Sequence, residues 1–142
     1  MFDFGRMIEI DSDRFPPHPR DAELVNGGHG FALADFLAGE LAKRVLPVRL
    51  LVAEDWGWYA ELDHADFRLA YGCTSFGDRA FLIQFMPDTP VIRKLFRKID
   101  TRAATHALAS AVFDILSAEG VASRGPTWVD EVSATLGDEP VD

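Results

Sequence analysis

Between Phe31 and Val45, Leu33, Leu37, Leu41 and Val45 recur every four residues, and Ala34, Ala38 and Phe36 widen the stripe. That period predicts one helix over this stretch, with Asp35 and Glu40 off the apolar face. Lys43 and Arg44 fall in its last turn, where cations suit the helix dipole, and Pro47 ends it. A second stripe, formed by Leu108, Ala111, Val112, Ile115 and Leu116, predicts a helix capped by Asp100 or Thr101 and running to Glu119, with Gly120 as its stop. Between the two stripes the spacing shortens. Val48–Glu54, Trp58–Asp63, Phe67–Thr74 and Arg79–Met86 read as strands, separated by turn residues such as those of Leu62–Asp66 and Ser75–Asp78. Connections this short force antiparallel neighbours, so the four strands form a meander.

Side-chain alternation adds detail to that sheet. Phe67, Leu69, Tyr71 and Cys73 share one face of the third strand, and Arg68, Ala70, Gly72 and Thr74 share the other. In the fourth, Phe81, Ile83 and Phe85 lie opposite Leu82 and Met86. A strand apolar on both sides needs cover on both, and two helices are few for that task. The N-terminal arm or a second subunit is expected to supply the rest, which suggests a homodimer. Arg6–Ile10 reads as a short edge strand, and the prolines of Phe15–Pro19 as an extended surface run. Val91–Lys98 reads as a short helix, and Pro126–Asp130 as a last strand. The whole is one α+β domain over residues 1–142: a four- to five-stranded antiparallel meander with two main helices mostly on one face. Residues 1–28 form an extended arm, and 137–142 a loose acidic tail.

Composition narrows the function classes. With 142 residues, 48% of them hydrophobic and eleven of them phenylalanine, the chain can bury a real core. No apolar run reaches the ~20 residues of a membrane span. The start, Met1–Arg6, lacks the basic and apolar blocks of a signal peptide. The single cysteine, Cys73, leaves no internal disulfide, which fits a reducing cytoplasm. A net charge of −9 repels phosphate backbones and suits basic partners. Neither nucleic acid nor membrane is expected as a partner.

The densest cluster of candidate residues is Glu54-Asp55-Trp56-Gly57-Trp58. Asp55-Trp56-Gly57 suits a tight bend between strands. Glu54, Asp55, Trp56 and Trp58 form a candidate contact surface, since tryptophan is enriched at binding hot spots; packing at least one indole under a helix is the commoner outcome. Arg93, Lys94, Arg97, Lys98 and Arg102 form a basic island suited to an anion or acidic partner, with 93/97 and 94/98 sharing faces if the segment is helical. Catalytic signatures are missing. Cys73 has no sequence-adjacent base, and His18, His29, His64 and His106 lie apart without metal-ligand spacing. Asn26–Gly30 lacks the lysine of a phosphate loop. Glu61 and Asp63 fall on a polar strand face, where nothing raises a carboxylate's pKa for acid–base work. No cofactor is implied.

Three runs, Glu54–Trp58, Leu69–Cys73 and Phe96–Thr101, resemble a family of small uncharacterised bacterial proteins over about residues 30–130. The resemblance implies a bacterial cytosolic domain and carries over no catalytic residue. In size, acidity and element content the chain is also similar to type III secretion chaperones and to immunity proteins of toxin systems, a likeness of class rather than of motif. A non-catalytic cytoplasmic binding protein is the favoured reading. A sensor or carrier of an anionic or aromatic small molecule comes next, and an enzyme built from scattered residues comes last.

Overall fold

In the computed structural model, which describes residues 4–130, four consecutive strands pair in chain order. They are β2 (Val48–Glu54), β3 (Gly57–Leu62), β4 (Ala70–Ser75) and β5 (Ala80–Met86), each antiparallel to the next. Two further strands extend this meander. β1 (Arg6–Asp11) pairs with β5, and β8 (Arg124–Asp130) pairs with β1. The sheet is six-stranded, in the order β2-β3-β4-β5-β1-β8. Arg6–Ile10 is therefore an inner strand and not the edge strand its position near the terminus suggests. Ile8 and Ile10 alternate inward strongly enough to be buried between two neighbours.

Two helices complete the core: α1 (Phe31–Lys43) and α2 (Arg102–Leu116). Both end two or three residues short of the boundaries read from the sequence. One cross-strand row shows where they lie. Ala53, Trp58, Cys73, Ile83, Ile8 and Trp128 are successive partners across all six strands, so their side chains share a face. Phe31 of α1 meets Trp58 edge to face, with ring centroids 5.0 Å apart. Phe113 of α2 stacks on Trp128 at 5.3 Å. Both helices therefore cover the same side. Leu33, Leu37 and Leu41 of α1, and Leu108, Val112 and Ile115 of α2, are buried there. Tyr71 adds a polar tie, its hydroxyl donating to the Ala34 carbonyl at 2.8 Å.

Val91–Lys98 is not a helix. β6 (Val91–Lys94) and β7 (Arg97–Asp100) form a separate two-stranded hairpin turning at Leu95-Phe96. Ile92, Leu95, Phe96 and Ile99 sit at spacings of three and four, which imitates a helical stripe. In the fold only Ile92 and Ile99, paired across the hairpin, reach the core. The proline-rich arm is also less extended than its composition suggests. Phe15 is buried against Phe36 and Phe81, and Pro19–Glu23 forms one 3-10 turn. The acidic stretch 137–142 lies outside the described residues.

Candidate functional site: the sheet face around Trp56

Trp56 and Trp58 sit two residues apart and point to opposite faces. Asp55 and Trp56 form a two-residue turn, with Glu54 and Gly57 paired across it. Continuous β structure would keep both indoles on one side; the turn breaks that parity. Gly57 takes φ +155°, and a Cβ there would lie 2.3 Å from the Cys73 carbonyl oxygen. Only glycine lets β3 approach β4 so closely at this corner.

Trp58 is 0% exposed, so it leaves the candidate contact surface. Its Nε1 donates to Asp21 Oδ1 at 2.8 Å. The same oxygen accepts the backbone N–H groups of Gly30 and Phe31 at the start of α1, and Oδ2 accepts that of His18. A buried carboxylate thus joins the arm, the first helix and the sheet. The Arg20 guanidinium lies over the rings of Phe31 and Trp58, at 4.8 and 5.1 Å. Asp21 gave little sign of this in sequence, since its partners lie up to 37 residues away. The one local signal is the capping arrangement His18-Pro19-Arg20-Asp21 at the 3-10 turn.

Trp56 turns the other way and is 38% exposed. The outer edge of its six-membered ring lies against Gly72 of β4, where a Cβ would come 2.5 Å from the indole. Part of the second-face cover expected from an arm or a second subunit is thus supplied by the chain's own tryptophan. Around it a cleft of about 460 Å³ is lined by Arg49, Leu50, Val52, Glu54, Tyr59 and Arg68, among others.

Beneath that cleft lies Glu61. It is buried, contrary to the exposed strand position assigned to it from alternation. Tyr59 donates its hydroxyl to Glu61 Oε1 at 2.7 Å, and Arg49 donates to Oε2. The tyrosine hydrogen bond and then the arginine hold this carboxyl below its ordinary range. Burial, followed by the bond to Glu61, pushes the Tyr59 phenol up to about 12. Glu61 is therefore held as the carboxylate at neutral pH, the reverse of what a general acid requires.

A second cleft of about 540 Å³ adjoins the first and shares Arg49, Glu61 and Arg68 with it. Its far wall includes Ile92, Arg93 and Lys94. The fold thus connects Trp56 to part of the basic island through a shared wall of Arg49, Glu61 and Arg68, in which Arg49 is paired with Glu61. Arg102 does not belong to that island, because it opens α2 and pairs with Asp100 at 2.5 Å. Nor do 93/97 and 94/98 share helix faces. The cross-strand pairs are Arg93 with Lys98 and Lys94 with Arg97.

Other candidates stay apart. Cys73 is fully buried, and burial pushes its thiol far above the usual range, leaving a protonated sulfur without a neighbouring base. His29 packs its ring against Phe81 at 5.2 Å. Among the described residues no cluster of three or more His, Cys, Asp or Glu is placed to hold a metal ion. No helix among them is long and apolar enough to cross a membrane.

Comparison with protein-family models, with curated proteins and with solved structures yields no match.

Proposed function

We propose that the protein is a non-catalytic binding module that holds a protein partner against the sheet face opposite α1 and α2. The observation that carries this reading is Trp56, a large aromatic side chain fixed over Gly72 yet 38% exposed. A ring that already packs against the backbone has less freedom to lose on binding, which suits a hot-spot anchor. Leu50, 41% exposed, extends the apolar patch along the cleft that Trp56 lines. Glu54 and Asp55 stand beside it, and the whole chain carries −9, so the fitting partner presents an apolar anchor flanked by basic residues. Secretion chaperones and immunity proteins, similar in size and acidity, offer a functional analogy. The test is capture from the native host by the intact protein and by Trp56→Ala, read by mass spectrometry. A partner retained by the first and lost by the folded variant is expected. Equal retention by both contradicts the reading.

The second reading, a site for an anionic aromatic small molecule, draws on the shared wall that links Trp56 to Arg93 and Lys94. A metabolite that shifts the tryptophan emission of the native protein, but not that of Trp56→Ala, would favour it.

A further inference from the structure

We propose that the β6–β7 hairpin is an end-on docking finger for an anionic lipid surface. This rests on the hairpin, whose Arg93 and Lys94 also wall the cleft adjoining the one around Trp56. The hairpin conflicts with the usual rules for a stable two-stranded element. Its turn carries Leu95, 93% exposed, and Phe96, fully exposed. Leu95 adopts φ +56°, a conformation that glycine or asparagine takes more easily. Behind the turn, Arg93 faces Lys98 and Lys94 faces Arg97 directly across the ladder. Like charges placed opposite each other destabilise a strand pair, and a bare hairpin is marginal to begin with. None of these four cations makes an ion pair with a described residue. Four of the fourteen lysines and arginines of an acidic chain are thus gathered behind two apolar side chains, without an ion pair among the described residues.

The fold does not need this arrangement, since only Ile92 and Ile99 at the hairpin's base touch the core. A counter-surface that is anionic outside and apolar within would resolve the charge conflict and the apolar exposure together. It would neutralise both like-charge pairs and bury Leu95 and Phe96. A bilayer containing anionic lipid has that layering over a few ångströms of depth.

Geometry favours a lipid surface over a protein or a nucleic acid. Successive residues on a strand point to opposite faces, so Arg93 and Lys98 lie on one side of the hairpin and Lys94 and Arg97 on the other. The four cations form a collar around the tip. A macromolecule lying along one face would meet two of them; an end-on approach to a plane brings all four close. Three residues at about 3.3 Å each put the tip roughly 10 Å beyond its packed base. That is about a Debye length at physiological salt, so repulsion between the acidic body and the surface is weakened.

The experiment is sedimentation of the intact protein with phosphatidylcholine vesicles, with or without 30% phosphatidylserine. Each cation near an anionic surface strengthens partition roughly fivefold. Binding is expected to the serine-containing vesicles, to be weak on neutral ones, and to fall as salt rises. Lys94→Ala with Arg97→Ala should weaken it roughly 25-fold, and Phe96→Ser roughly tenfold. These positions are exposed, so unchanged far-ultraviolet circular dichroism will show that the variants fold. No binding to anionic vesicles at 0.1 M salt overturns the proposal, as does binding that neither variant weakens. Tighter retention on duplex DNA, insensitive to Phe96→Ser, would assign the collar to nucleic acid and also overturn it.

Discussion

The two faces of the sheet solve the problem of a tryptophan in opposite ways. On the helix side, Trp58 is wholly enclosed, and its single donor meets the Asp21 carboxylate that also starts α1. Every part of that residue serves the fold. On the other side, Trp56 rests against the bare backbone of Gly72 and leaves over a third of its surface to solvent. The same residue type, two positions along, is a keystone on one face and an accessible anchor on the other. A two-residue turn makes the difference.

Truncation gives the largest separation between the two. Trp58→Ala removes a fully buried ring and a donor to a buried carboxylate, and should cost about 3–5 kcal/mol in urea denaturation. Trp56→Ala should cost only about 1–2 kcal/mol, because much of its surface is already wet. Comparable losses at the two positions would erase the distinction. Gly72→Val acts one step more subtly. Its side chain would occupy the place of the indole, so Trp56 must swing away. Overpacking of this kind should cost about 1–3 kcal/mol, with Trp56 more readily quenched by acrylamide and any partner bound through it weakened. Unaltered quenching would show that the ring does not rest there.

Glu61 gives the smallest effect, through pH. Its carboxyl is held below the ordinary 4.5 by Tyr59 and Arg49. A depressed folded-state pKa means that the unfolded chain takes up the proton first as acid is added. The stabilisation is therefore complete above about pH 5 and fades as pH falls past 4.5 through the lower folded value. Glu61→Gln should lose stability at pH 7 and show a shallower decline in acid than the parent. Parallel pH profiles would remove the carboxylate from the account.

The sequence carried the local part of this structure well. The stripe of α1, the meander and the inward set Tyr71, Cys73, Phe81 and Ile83 all follow from periodicity, because each depends on neighbours close in the chain. What escaped depends on distant partners. Ile8 and Ile10 announce a strand, but nothing near them says that β8, more than a hundred residues later, will close over its outer edge. Glu61 alternates as a surface residue, and only Arg49 and Tyr59 explain its burial. The β6–β7 hairpin misled for a different reason. Its turn contains no glycine, proline or asparagine, so the usual punctuation was missing and the apolar spacing mimicked a helix. That missing turn residue is itself what leaves Leu95 and Phe96 at the tip.

The division between the two tryptophans is tested most directly by hydrogen exchange at the indole N–H groups, followed by NMR in the native protein. Trp58, bonded to Asp21 inside the core, should exchange only as fast as the whole domain unfolds. Trp56 should exchange at once, before any partner is added. If the Trp56 indole proved as protected as that of Trp58, the open face would be covered in the isolated protein, and the contact surface proposed for it would not exist.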